Sequence, residues 1–221
     1  MLFDLRGRGR RRTVQAVYLG LAILMGGGLV LFGVGTGSGN GGLLNAFSGN
    51  GSSGAQKQVV SQDETNALKE TKLRPTDPAG WAALVQARWA SAGQGADFNP
   101  STGAFTATGK KELIAATQAW ERYLQLTKNP DTDVAVLAAR AYSALGDYAG
   151  EAAAWEIDAR ANPSEPKGFE CLAASAYAAK QTQKGDLAAA TALGLVPKTQ
   201  RATLQQTLQQ AKTQPQVAQQ C

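Results

Sequence analysis

The chain has 221 residues with 22 lysines and arginines, 17 aspartates and glutamates, two cysteines and no histidine, and its net charge is +5. Without histidine, Ser-His and Cys-His nucleophile pairs and His-ligated metal sites are excluded. Two cysteines also exclude a four-cysteine zinc site and a framework of several disulfides.

The excess positive charge lies in the first twelve residues. Five arginines outweigh Asp4 there and give +4, whereas the rest of the chain holds 17 basic and 16 acidic residues. These arginines are Arg6, Arg8, Arg10, Arg11 and Arg12. Residues 1–12 are therefore predicted to be a basic tail that acts as a topology signal, and no nucleic-acid partner is expected.

An apolar segment follows the tail, and no charged residue occurs between Arg12 and Lys57. An α-helix rises 1.5 Å per residue, so about 20 apolar residues span the roughly 30 Å hydrocarbon core of a bilayer. The sequence predicts a transmembrane helix over residues 13–34. By the positive-inside rule, the N-terminus should be cytoplasmic and the C-terminal part extracytoplasmic in a single-pass protein of the cytoplasmic membrane.

A cleavable signal peptide is the alternative interpretation of this segment. Its apolar region is usually about 7–15 residues long and ends at a small-residue cleavage site, whereas this stretch is longer and runs into glycine-rich sequence. An uncleaved anchor is favoured for that reason. Residues 35–54 then form a flexible linker, since nine glycines fall between positions 33 and 54. A chain of this length and composition reaches about 25 Å.

From residue 55 onward the composition shifts to Ala, Gln, Lys, Glu and Leu, without the alternating pattern of strands, which predicts an all-α fold. An N-terminal helix is expected over 55–74 and a polar capping helix over 198–213, with a frayed tail at 214–221. Further helices are predicted near Trp81–Trp89 and at 110–127, 133–145, 149–161, 167–179 and 184–193, with a Gly/Asn/Ser-rich insertion at 92–109.

The helical region contains a period near 34 residues. Pro130 and Pro163 are 33 positions apart, and Trp120 and Trp155 are 35 apart. The positions of the central unit that carry the pattern are Ala139, Tyr142, Gly146, Tyr148, Trp155 and Pro163. They resemble the small, aromatic, turn-glycine and terminal-proline positions of the tetratricopeptide repeat family. The resemblance implies a short α-solenoid of helix-turn-helix repeats over residues 75–197.

The chain departs from that family pattern in three places. The insertion 92–109 stands where the family has a short turn. Glu151 and Asp158 occupy positions of the central unit that are usually small, and Lys180 replaces the turn glycine of the third unit. The whole layout resembles single-pass, tetratricopeptide-like envelope proteins of bacteria, some of which accompany the secretion translocon and its periplasmic chaperones.

The resemblance also implies a peptide groove on the first helix of each repeat. Its polar and aromatic positions map to Gln86, Trp89, Arg140, Glu170 and Tyr177. The Lys/Asn set with which some family members clamp a C-terminal carboxylate is missing, so that ligand class is not implied. The alternative is a groove filled by the chain's own helix 55–74 or by the insertion.

Candidate catalytic groups are few. The acidic pairs are Asp63-Glu64, Asp131 with Asp133, and Glu156 with Asp158, and all are explained by solvated helix faces or helix caps. No Walker, GxSxG, GxGxxG or EF-hand pattern occurs. We therefore predict neither an active site nor a cofactor or metal, although an enzyme with a carboxylate site between repeats remains an alternative.

The two cysteines leave two possibilities open. Cys171 lies in a helix, where cysteine is commonly a small core residue, and Cys221 is expected to be exposed. In an oxidising compartment they could instead pair and tie the tail back to the domain.

These features predict a membrane-tethered scaffold or chaperone-like module that binds protein or peptide partners in the cell envelope and contacts lipid through its span. Its oligomeric state is not determined by the sequence. Besides the enzyme, the other alternative is that the arginine tail is the functional element and binds anionic lipid or nucleic acid inside the cell.

Overall fold

The computed structural model describes the backbone of residues 53–221 and the side chains of residues 60–221. The predicted basic tail, the transmembrane segment 13–34 and nearly all of the linker lie outside the described residues. Within residues 53–221, no helix is both long enough and apolar enough to cross a membrane.

The described residues form helices joined by short turns, with one small hairpin, so the all-α fold class is confirmed for this part of the chain. Its helices are α1 Ser53–Leu73, α2 Pro78–Ala92, α3 Ala107–Leu126, α4 Thr132–Leu145, α5 Tyr148–Ala161, α6 Pro166–Ala178, α7 Thr182–Leu195 and α8 Lys198–Thr213. Short 3₁₀ turns span Gly95–Asp97 and Pro215–Gln220, and the strands are β1 Phe98–Asn99 and β2 Ala104–Phe105.

Successive helices pack against one another from α1 to α7, and α8 packs on α6, which is an α-solenoid arrangement in general terms. Alanine dominates the buried core and allows the helices to approach closely. At two equivalent positions the helices lie so close together that only glycine fits. A Cβ at Gly150 would lie 2.5 Å from the ring of Tyr142, and one at Gly185 would lie 2.5 Å from the ring of Tyr177.

The turn after α6 has the same geometry as the turn after α4, although only one of them has the expected glycine. Gly146 adopts φ 77° and Lys180 adopts φ 63°, both in the left-handed region. The amide of Asp147 donates to the carbonyl of Tyr142, and that of Gln181 to Ala176, at 2.9 and 2.8 Å. The two turns therefore share one backbone conformation. In the second turn this conformation places a lysine in the left-handed region, which residues with a Cβ disfavour.

The insertion contains a short hairpin, although the sequence showed no strand pattern there. Phe98 pairs with Phe105 across a two-stranded hairpin, and the Phe105 ring lies 6.0 Å from that of Trp89. Aromatic packing holds the hairpin against α2, and the last residues of the predicted insertion, from Ala107, already belong to α3.

The C-terminal segment, residues 214–221, is also ordered, so the prediction of a frayed tail is wrong. Its 3₁₀ turn packs against α6 and α4, where Val217 and Ala218 are buried. Cys221 forms a disulfide with Cys171 of α6, with the two Cα atoms 5.6 Å apart. Apolar burial and the covalent link explain the order of a segment whose polar composition suggested none.

Candidate functional site

The structure distributes the five predicted groove residues over different environments. Trp89 and Arg140 line one cavity, and Glu170 lines a second one between α6 and α8. Gln86 is exposed on α2. Tyr177 is only 5% exposed, which corrects its assignment to a groove.

Tyr177 is buried because it anchors the capping helix α8. Its hydroxyl donates to Asp186 at 2.8 Å, and Lys212 of α8 bonds to the same carboxylate at 2.8 Å. The ammonium of Lys212 also lies 5.0 Å from the centre of the Tyr177 ring. The aromatic position that the repeat pattern places on a groove therefore serves helix packing here.

The cavity beside Trp89 and Arg140, called here the central cavity, has a volume of about 500 Å³. It lies where α2, α3, α4, α5, the hairpin and the C-terminal segment meet. Its lining consists of Trp89, Gly103, Ala104, Phe105, Lys110, Arg140, Ser143, Ala144, Glu151, Trp155, Gln219, Gln220 and Cys221. This volume and this mixed aromatic and polar lining are typical of sites that bind a small ligand or a single side chain.

Three buried polar side chains form one wall, which we call the floor of the cavity. Glu151 is 0% exposed, Trp155 4% and Ser143 8%. Both carboxyl oxygens of Glu151, the hydroxyl of Ser143 and the indole N–H of Trp155 complete no hydrogen bond with the described residues. Buried polar atoms are normally paired, so unpaired ones that converge on a cavity indicate a place for a ligand or water.

Local sequence features hold the floor together. Gly146 ends α4 in the left-handed conformation, and the Asp147 carboxylate accepts from the amide of Gly150 at 2.9 Å to start α5. This tight turn places Ser143, near the end of α4, next to Glu151, in the first turn of α5. Glu151 is therefore fixed by backbone geometry rather than by a partner for its charge.

Burial controls the ionisation of Glu151. Loss of hydration raises the pKa of its carboxyl from 4.5 to about 8, while the nearby Ser143 hydroxyl and Trp155 indole lower it in part. These two donors are close enough to influence the pKa, although neither completes a hydrogen bond with the carboxyl. At neutral pH the carboxyl is mainly protonated, so it can donate a hydrogen bond as well as accept one.

Two cations also line the cavity. Lys110 lies in the first turn of α3, after the Thr106 cap, and Arg140 lies one helical turn before Ser143 on α4. Both residues are exposed, and neither forms an ion pair with any residue of the described part. Trp89 and Phe105 add aromatic surface to the cavity lining, beside the indole of Trp155 in the floor.

Of the residues that line the cavity, only Trp89 and Arg140 were among the predicted groove positions. Glu151 carried a usable signal, because it stands where the tetratricopeptide-like pattern has a small residue. Phe105 carried none, since it lies in the insertion, which has no counterpart in the repeat pattern. Lys110 carried none either, since it lies in the first turn of α3, outside the predicted groove positions. The C-terminal segment likewise carried no signal, because its polar composition predicted a frayed tail.

In the part of the chain that the structure describes, no group of three or more Cys, Asp or Glu side chains is placed to hold a metal ion. The arrangement offers hydrogen-bond donors, two cations and aromatic surface to a bound group. No protein-family model, curated protein or solved structure matches this chain.

Proposed function

We propose that the protein is a membrane-tethered, helical-repeat module that binds segments of other envelope proteins at the outer face of the cytoplasmic membrane. The observation that carries the proposal is the central cavity, whose lining contains Trp89 and Arg140 of the predicted groove. Stacked helix pairs commonly present binding surfaces built from successive repeats. Tryptophan and arginine are also the residue types that most often dominate protein interfaces.

The location is supported by the sequence. Five arginines before a long apolar segment favour a cytoplasmic N-terminus, and the glycine-rich linker would leave the helical domain free to meet partners near the membrane. The resemblance in layout to envelope proteins that accompany the translocon favours a place beside the secretion machinery. A phosphatase fused after Cys221 should be active only if the C-terminus is extracytoplasmic.

Site-specific photocrosslinking in the native cells tests the binding function. A photoreactive amino acid at Trp89 or at Arg140 should give discrete protein adducts, because both positions line the cavity. The matched control is Leu187, which is 72% exposed on α7 and is not among the cavity residues. Adducts at all three positions in equal amount, or at none, would contradict a binding site at the cavity.

A pull-down from detergent-solubilised membranes complements the crosslinks. The full chain should recover the same partners that the crosslinks identify, and a variant lacking residues 75–197 should lose them. If the shortened variant retains the partners, the tail or the span carries the interaction instead of the repeats.

A second candidate, an envelope enzyme, is favoured by one observation. Glu151 is a buried carboxyl of raised pKa in a cavity, which is the environment of many general acids. The cavity lining contains a single acidic residue, whereas paired-carboxylate chemistry needs two. Turnover of generic ester, peptide or glycoside substrates that disappears in Glu151→Gln would favour this candidate.

A further inference from the structure

We propose that the central cavity receives the side-chain carboxylate of an aspartate or glutamate from the bound protein segment. In this arrangement the carboxylate oxygens accept hydrogen bonds from Ser143 and Trp155, and Arg140 and Lys110 balance its charge. The inference rests on the proposed function, because it names the chemistry that the binding module selects in its partner.

Charge is the first argument. Two cations without ion pairs in the described part line the cavity, and Glu151 is the one acidic side chain in its lining. Burial keeps that carboxyl mainly protonated at neutral pH, since its pKa is raised to about 8. The cavity therefore presents net positive charge to a ligand, and an entering amine would meet Lys110 and Arg140 before it could reach Glu151.

Unsatisfied donors are the second argument. The hydroxyl of Ser143 and the indole N–H of Trp155 are buried at the cavity beside the Glu151 carboxyl, but they complete no hydrogen bond with the described residues. The protonated carboxyl of Glu151 adds a third donor at the same wall. A carboxylate can accept several hydrogen bonds at once, so one ligand group would satisfy all three donors.

The depth of the site favours a side chain over a chain terminus. The donors of Ser143 and Trp155 are buried, whereas Lys110 and Arg140 are exposed at the rim. An extended acidic side chain can reach the floor past the aromatic walls while its own backbone stays outside. A terminal carboxylate would have to bring its backbone into the same space.

Fluorine NMR of the full chain in detergent tests this inference without knowledge of the partner. The four tryptophans are labelled with 5-fluorotryptophan and assigned with single Trp→Phe variants. The probes are N-acetylglutamic acid α-amide, N-acetyl-lysine amide and N-acetylnorvaline, which carry a side-chain carboxylate, an amine and a terminal carboxylate. The glutamic acid probe should shift the Trp155 and Trp89 signals saturably, and the other two should not.

Matched variants locate the interaction. Lys110→Gln/Arg140→Gln should weaken binding of the glutamic acid probe about tenfold or more, because both balancing charges are lost. Lys128→Gln/Arg122→Gln removes the same charge from positions outside the cavity lining and should leave binding within about twofold of wild type. Glu151→Gln should bind the probe at least as well as wild type, since the neutral amide also donates a hydrogen bond.

Several results would overturn the inference. These are saturable shifts with the lysine or norvaline probe instead of the glutamic acid probe, equal binding by the two charge-matched double variants, loss of binding in Glu151→Gln, and no shifts with any probe. Probe binding without crosslinked partners in cells would refute the proposed function alone. Crosslinks without binding of the glutamic acid probe would refute only the ligand chemistry.

Discussion

The buried carboxyl of Glu151 should make the stability of the folded domain depend on pH. Burial raises its pKa from 4.5 to about 8, so the folded protein keeps a proton that the unfolded chain releases between these values. Because the folded state binds more protons in this range, the free energy of unfolding must fall as pH rises. The favourable contribution is complete below pH 4.5 and is lost as pH passes about 8.

The size of the effect follows from the pKa difference. At about 1.36 kcal/mol for each pH unit, a difference of about 3.5 gives roughly 5 kcal/mol as an upper bound. Water in the adjoining cavity can hydrate the ionised carboxylate, which reduces the loss. We expect the wild-type protein to lose about 2–5 kcal/mol relative to Glu151→Gln between pH 5 and pH 9.

Urea unfolding of the full chain in detergent, followed by tryptophan fluorescence, measures this difference. All four tryptophans, Trp81, Trp89, Trp120 and Trp155, lie in the helical domain, so the signal reports on that domain. Titration of other groups cancels when wild type and variant are compared at each pH. Glu165→Gln is the matched control, because Glu165 is exposed and forms no ion pair in the described part of the chain.

One result would refute the reasoning about Glu151. If the stability difference between wild type and Glu151→Gln stays constant from pH 5 to pH 9, the carboxyl has an ordinary pKa in the folded protein. The cavity floor would then be well hydrated. A pH dependence that Glu165→Gln also abolishes would point to a general charge effect.

Three further predictions use the same unfolding assay. Lys180→Gly should raise the free energy of unfolding by about 0.5–1 kcal/mol because it relieves left-handed strain, whereas Gly146→Ala should lower it by about 1 kcal/mol. Stability changes of the same sign in the two variants would contradict a shared left-handed turn conformation. Gly185→Ala should cost about 1–3 kcal/mol, since its Cβ would lie 2.5 Å from the Tyr177 ring. Gly194→Ala in the same helix meets nothing within 4 Å and should be neutral or stabilising, so a similar loss in both would refute the packing argument. Cys171→Ser/Cys221→Ser should lose up to about 4 kcal/mol, because the disulfide closes a sequence separation of 50. A free thiol at Cys221 by mass spectrometry without reductant would contradict the pairing.

The helices of the domain were largely predictable because their signals are local. Asp77, Asp131 and Asp147 accept from backbone amides at the starts of α2, α4 and α5, as acidic residues before apolar stretches indicate. The period near 34 residues likewise appears as two matching turns, at Gly146 and Lys180. These features depend on a few neighbouring residues and on helix geometry.

The candidate site was predictable only in part because it joins residues from distant segments. Trp89 and Arg140 were among the predicted groove positions, but Phe105 reaches the cavity through a hairpin with no counterpart in the repeat pattern, and Lys110 reaches it from the first turn of α3. The C-terminal segment closes the cavity through a disulfide whose partners are 50 positions apart. No local pattern reports such contacts.

The sequence by itself determined the helical class of the domain, the approximate helix positions and the uneven distribution of charge, because all three are properties of composition and short-range periodicity. Only the tertiary structure decided that Tyr177 is a packing residue, that the C-terminal segment is ordered and that Glu151 is buried at a cavity without a partner. Burial, and with it the raised pKa of Glu151, depends on which surfaces meet after the helices pack.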